Sequence, residues 1–243
     1  MAISSRQLVY DVKRKLNALT SGKATDFRVI DVVREINASA EEIIQNLIYE
    51  EDQNRGISNH LRPLFIKKKE LVCESVDKDC CKFTYPDNHY ATSNIVVEAC
   101  HDCCKDTKRI PVQTLQSDDL QTARLNPYRR ANFFFEQLIG DEAHDGYYIY
   151  HDCEMDIKSV KIDYYRKFKG IQAPSLVESC GNRTYKDWDG NLITEDCDFE
   201  LCDTYLHNKV TDVAAARLAG ASRDYNFANY KFNEINTLQN IHR

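Results

Sequence analysis

The alternation in Val160-Lys161-Ile162-Asp163-Tyr164-Tyr165 decides how this chain is read. Val160, Ile162 and Tyr164 fall on one side of an extended backbone and Lys161, Asp163 and Tyr165 on the other, which predicts a strand with one buried and one wet face. Just upstream, Gly146-Tyr-Tyr-Ile-Tyr-His151 reads as the strand that pairs with it. Further toward the amino terminus, Leu64-Phe-Ile, Leu71-Val72, Phe83-Thr-Tyr85 and Ile95-Val-Val97 are short apolar runs punctuated by Pro63, Pro86 and polar turns, from about Ile57 onward. Downstream, 187–193 predicts a hairpin turn at Asp189-Gly190 with Trp188 and Leu192 beside it.

Helices bracket these strands. Leu8, Val12, Leu16 and Leu19 recur at helical spacing, with Ser4 or Ser5 as cap and Gly22 as stop. A longer helix follows Thr25 or Asp26, and its positions Val29, Val33, Ile36, Ala40, Ile43 and Leu47 form a heptad-like stripe that must pack against something. An intramolecular hairpin is the simpler reading, with a seam between subunits as the alternative. Near the carboxy terminus Cys202, Leu206, Val210, Val213 and Ala214 mark a helix stopping near Gly220, and Tyr225, Ala228, Phe232, Ile235 and Leu238 mark another after Ser222. The order is an α+β one. N-terminal and C-terminal helices are expected to pack together beside a small antiparallel β-sheet, with parts at 1–56, 57–198 and 199–243. The polar stretch 105–130 reads as a long extended arm or loop.

Composition narrows the function. With 32 basic and 38 acidic residues the net charge is −6, against the basic excess a nucleic-acid grip needs. Lys67-Lys68-Lys69 is the one dense basic run, and 187–203 holds seven acidic residues with no Lys or Arg. The amino terminus lacks a signal-peptide core, and the longest apolar runs fall far short of a membrane span, so the chain is expected to stay where it is translated, without a membrane partner.

Chemistry-bearing motifs are sparse. GxGxxG, GxxxxGK[ST], GxSxG and HExxH are missing from the sequence. Asp187-x-Asp189-x-Asn191 starts like a calcium loop, but Leu192 stands where a glycine is required. Cys80, Cys81, Cys100, Cys103 and Cys104 invite a zinc reading, yet Cys80-Cys81 has no spacer, so buried free thiols are the preferred reading and no cofactor is expected. The pairs His101-Asp102, His144-Asp145 and His151-Asp152 suggest a metal-dependent hydrolase, but they fall on strand ends and loops, where helical geometry does not aim them at one metal. His151 and Cys153 are neighbours only in sequence, which does not make a nucleophile and base.

Four stretches carry a resemblance. They are Leu64-Phe-Ile-Lys-Lys-Lys-Glu-Leu-Val-Cys73 with Glu74-Ser-Val-Asp-Lys-Asp-Cys-Cys81, then Arg124-Leu-Asn-Pro-Tyr128, then 160–167, then the helix near Cys202 with Val210-Thr-Asp-Val-Ala-Ala215. This series, set between terminal helices, resembles the head-to-tail connector (neck ring or adaptor) proteins of crAss-like tailed bacteriophages. The resemblance implies a non-enzymatic virion protein assembled in the host cytoplasm. It would form a homo-oligomeric ring below the portal protein, meet adjacent neck or tail rings, and touch genomic DNA only as it passes through the channel. For the contact between subunits the residues point to Leu125, Pro127 and Tyr128 as anchors with Arg129 and Arg130, met by Asp196, Asp198 and Glu200. A zinc-stabilised interaction module and a His-Asp hydrolase are the alternatives.

Overall fold

The computed structural model describes residues 3–19, 27–54, 59–77, 79–101, 104–152, 154–178, 185–186, 192–201 and 203–221. The chain forms two compact units, Leu64–Lys167 and the flanking Met1–Pro63 with Phe168–Arg243.

The flanking unit is built from α1 (Ser5–Leu19), α2 (Val29–Asn54), the four-residue α4 (Ser175–Glu178) and the long α5 (Thr204–Ala221). Helical spacing gathers Leu8, Val12 and Leu16 on α1, Val33, Ile36, Ala40 and Ile43 on α2, and Leu206, Val210 and Ala214 on α5, all buried. Both N-terminal helices pack on α5. The α2 stripe is therefore covered within the chain, as the hairpin reading expected, although α5 rather than α1 supplies most of the cover. Ala214, Ala215, Ala216 and Ala219 are fully buried on α5, where small side chains allow close approach of helix axes. Lys15 closes one edge of the α1–α5 contact, donating to Thr211 Oγ1 at 2.6 Å and pairing with Asp212 at 2.9 Å. Asn37 ties α2 to the return segment: its amide donates to Ile171 O (3.1 Å) and accepts from Ile171 N (2.7 Å), beside Gly170 at φ 68°. The short α4 (Ser175–Glu178) follows. Lys186 and Leu192 are bridged and Ile193 N donates to Tyr185 O, while the expected turn residues 187–191, the Gly22 stop and the helix after Ser222 lie outside the described residues.

The second unit corrects the expected small antiparallel sheet. It is an eight-stranded mixed sheet, nearly closed into a barrel, in the order β1-β8-β4-β5-β6-β7-β3-β2. The strands are β1 (Phe65–Glu70), β2 (Val72–Val76), β3 (Cys80–Thr84), β4 (His89–His101), β5 (Cys104–Leu115), β6 (Leu138–Ala143), β7 (Gly146–Tyr150) and β8 (Met155–Arg166). The two ends of that order are consecutive in sequence. β1 pairs with β8, Leu71 N donates to Val160 O at 2.9 Å, and from Val72 the chain pairs with β3. One strand bent at Leu71 thus brings the ends of the sheet together, which blunts the exposed edges an open sheet would carry. Lys67, Lys68 and Lys69 sit exposed on β1, where a register shift and a left-handed Lys68 (φ 53°) make a bulge, and charged bulged edges resist further strand pairing.

Two expectations fail here for identifiable reasons. The strands 146–151 and 160–165 exist but do not pair with each other; β7 lies between β6 and β3, and β8 between β1 and β4. The link between them is a corner where the chain changes halves of the barrel, with Met155 N donating to Asp152 O. Likewise 105–130 is not an extended arm. It contains most of β5 and all of α3 (Ser117–Leu125). Because β5 and β6 are parallel, the chain must cross back between them, and the polar stretch is that crossover.

The barrel interior holds Phe83, Ile95, Val97, Ile110, Phe133, Leu138, Tyr147, Ile149, Val160, Ile162 and Tyr164. At its rim His89 stacks on Tyr85 with ring centroids 4.1 Å apart. Burial, with a smaller push from Lys167, takes the His89 imidazole down to about 4. The unfolded chain takes up this proton near pH 6.5 and the folded barrel only near 4, so His89 contributes stability that is full above pH 6.5 and falls away as pH drops toward 4. Urea midpoints at pH 7 and pH 4.5 should therefore differ more for the native chain than for His89→Phe; equal pH sensitivity in both would contradict this assignment.

Candidate docking surface

Helix α3 begins with Asp118 and Asp119 in its first turn, where acidic side chains suit the helix dipole. Its inner face, Leu120 and Ala123, packs on Ile139 of β6. It ends at Asn126, whose backbone N–H donates to Thr122 O and Ala123 O. The Asn126 side chain then fixes the next turn, with Oδ1 accepting from Tyr128 N at 2.9 Å, while Arg129 N and Arg130 N donate to Asn126 O. Asn132 repeats the device: its Oδ1 accepts from Phe134 N (2.9 Å) and Phe135 N (3.1 Å), and its backbone pairs with Gln137. Such Asx turns hold a loop tip in one conformation.

What these two turns present is apolar. Leu125 and Tyr128 are each 85% exposed, Phe134 62% and Phe135 75%, whereas Phe133 is buried in the barrel. Arg129 and Arg130 are exposed between them, and their guanidinium groups make no ion pair among the described residues. Exposed aromatics and arginines on a rigid backbone are the composition of interface anchors. Of the residues read from sequence as contact anchors, Leu125, Pro127, Tyr128, Arg129 and Arg130 fall together in this stretch, all exposed; Phe134 and Phe135, read only as part of an apolar run, join them.

The expected acidic complement sits in the other unit and is engaged there. Asp196 accepts from Ser175 and pairs with Arg6 at 3.2 Å; burial works to raise its carboxyl, but the hydrogen bonds from Ser175 and Arg6 outweigh it and hold it below the usual range. Asp198 accepts from Ser5 N at 3.0 Å, at the start of α1, and Glu200 accepts from Lys169 N at 3.1 Å.

Beside the patch lies a cavity of about 450 Å³ whose walls include Arg130 and Phe134 together with His101, His151, Asp152 and Glu154. The structure thus brings two of the three His-Asp histidines to one cavity; His144 lies in the exposed β6–β7 turn. His101 is buried and contacts Glu154 at 3.0 Å, a pairing 53 residues apart that no local pattern reveals. His151 Nδ1 donates to Asp152 O at 2.8 Å, so the neutral ring keeps Nε2 as an acceptor, and the Cys81 thiol donates to it at 3.4 Å. The sequence reading sets aside a His151–Cys153 pair as neighbours only in sequence; Cys153 lies outside the described residues, and the thiol that His151 contacts is that of Cys81, from β3. Burial, with minor pushes from Cys73 and Cys80, takes the Cys81 thiol up to about 11, which favours an inert hydrogen-bonded thiol over a nucleophile.

For the zinc reading, Cys80 and Cys81 lie on β3 and Cys100 on β4, where its thiol faces Asp156 at 3.9 Å; Cys103, Asp102 and the Cys104 side chain lie outside the described residues. Among the described residues no group of three or more His, Cys, Asp or Glu side chains is placed to hold a metal ion, and no helix is long and apolar enough to cross a membrane. Compared with known family models and with curated proteins, the chain matches none.

Proposed function

We propose that this chain is a non-enzymatic structural subunit of the head-to-tail connector of a crAss-like tailed bacteriophage, forming a homo-oligomeric ring below the portal and docking to the neighbouring ring. The observation that carries the docking part is the patch at 125–135: four large apolar side chains, and two arginines with no ion pair among the described residues, held outward on turns that Asn126 and Asn132 lock. An exposed anchor cluster of this kind carries an energetic penalty in a protein that works alone, and gains its purpose when a partner covers it. The hydrogen-bonded Cys81 thiol and the side-chain pairings of His101 and His151 give the cavity structural roles that need no reaction. The virion setting comes from the resemblance read in 64–81, 124–128, 160–167 and 202–215, and a net charge of −6 suits a channel through which DNA slides without sticking.

The test is Tyr128→Ser combined with Phe135→Ser in the producing phage. Both positions are exposed, so the variant should keep the melting temperature of the native protein within about 2 °C, since surface changes cost within ~0.5 kcal/mol. Incorporation into particles should drop at least tenfold, read by quantitative mass spectrometry of purified virions. Normal incorporation of the double variant would remove the patch from assembly, and absence of the native chain from virions would remove the connector reading altogether.

A further inference from the structure

The patch carries its own charge complement. Asp118 and Asp119 stand exposed at the start of α3 with no ion-pair partner among the described residues, and Arg129 and Arg130 stand exposed beyond its end, equally unpaired. The helix dipole accounts for the acids. It does not account for two exposed arginines with no ion pair among the described residues or for the exposed aromatics beside them. A helix of nine residues is ~13 Å long, so the acidic and basic pairs sit one short helix apart, with Leu125 and Tyr128 toward the basic end.

We propose that in the free protein this face is covered by the same face of a second copy, with the two α3 helices antiparallel about a two-fold axis. That rotation sets Asp118 and Asp119 of each copy against Arg129 and Arg130 of the other, so these four exposed charges of each chain meet opposite charge. It turns Leu125, Tyr128, Phe134 and Phe135 away from water in both copies at once. At 150–250 Å² for a buried aromatic side chain, the exposed parts of Tyr128, Phe134 and Phe135 offer about 450 Å² per copy, and Leu125 adds to it. A standard stable interface takes about 800 Å² from each partner, so this cluster with its flanking charges supplies most of that area. A two-fold contact satisfies itself and cannot propagate into a ring. The pairing therefore goes beyond the connector reading and does not rest on it: it holds the patch closed in the unassembled chain and must open before the patch meets anything else.

Sedimentation velocity on the purified full chain, between about 1 and 100 μM, tests this with two charge-reversed variants, Asp118→Arg/Asp119→Arg and Arg129→Glu/Arg130→Glu. The native chain should sediment as a dimer that dilutes to monomer. Each variant alone should be monomeric, since reversal sets like charges together; each should still melt cooperatively, with Asp118→Arg/Asp119→Arg a few degrees lower because it places positive charge at the positive end of the α3 dipole. An equimolar mixture of the two should recover the dimer, because each then meets opposite charge at both ends. A native chain monomeric throughout, variants that remain dimeric alone, or a mixture that stays monomeric would each overturn the proposal. A native chain that forms a closed ring of many copies directly would also overturn it while supporting the connector reading.

Discussion

Gly140→Ala should cost the barrel about 3 kcal/mol or more, at the upper end of what overpacking does. Gly140 lies on β6 directly over Tyr147 of β7, and a methyl group there would overlap the phenol hydroxyl and approach two ring carbons at 2.5 and 2.6 Å. The ring has little room to retreat. Tyr147 is fully buried in the barrel core, and its hydroxyl shares a 2.7 Å hydrogen bond with Thr114 Oγ1 on β5. Burial also takes the phenol up to about 12, so it remains a neutral partner for Thr114 over the working pH range. Since a domain has only about 5–15 kcal/mol in total, such a loss is a large fraction of it. Urea unfolding should show a lower midpoint with unchanged slope. Repeating the change in a Tyr147→Leu background should recover more than half of the loss, because Leu lacks the atoms that collide. Equal cost in both backgrounds would place the strain elsewhere.

Deleting Thr114–Thr122 should abolish folding of the barrel outright. Read from sequence alone, this segment belongs to a polar arm whose removal spares the core. In the structure it carries the end of β5, whose Thr114 and Leu115 pair with Gly140 and Asp141, the Thr114 partner of Tyr147, and Leu120 of α3, which packs on Ile139 of β6. It also shortens the crossover that a parallel strand pair requires. The deleted chain should be recovered insoluble, or soluble without the near-ultraviolet circular dichroism of the buried tyrosines. A soluble product with a native spectrum and a cooperative melt would show that the crossover is dispensable.

The contrast between those two readings marks what the sequence makes legible. Period is local, so the α1 and α2 stripes, the α5 face and the alternation at 160–165 are read correctly as elements. Pairing is not local. β8 meets β4 and β1 because a closing sheet needs neighbours on both sides, and the short link to β7 gives no sign that it turns a corner. The crossover at 105–130 is polar because β5 and α3 face water on one side, and a half-wet strand beside a nine-residue helix looks like a loop when its partners are unknown. At the patch, Leu125, Pro127, Tyr128, Arg129 and Arg130 are legible by composition, since apolar and arginine residues stand out in a polar stretch. That Phe134 and Phe135 point outward while Phe133 points inward is set by Asn132 accepting two backbone N–H groups, a side-chain device that no periodicity records. Asp196, Asp198 and Glu200 look available in sequence because their donors Ser175, Ser5 and Lys169 are tens to hundreds of residues away.

The packing of α1 and α2 on α5 also sets a timetable for synthesis. The end of α2 leaves the ribosome about 150 residues ahead of the start of α5. At roughly 5–20 residues per second that is a wait of ~8–30 s. During it the barrel strands from Phe65 to Arg166 emerge complete and are free to close, while the Val33–Ile36–Ile43 face of α2 has no α5 to cover it. A nascent chain is thus half finished in a specific sense, with a shut barrel and an open helical seam. Translation that stops before Thr204 leaves that seam open permanently. Only a chain carried through α5 covers that face.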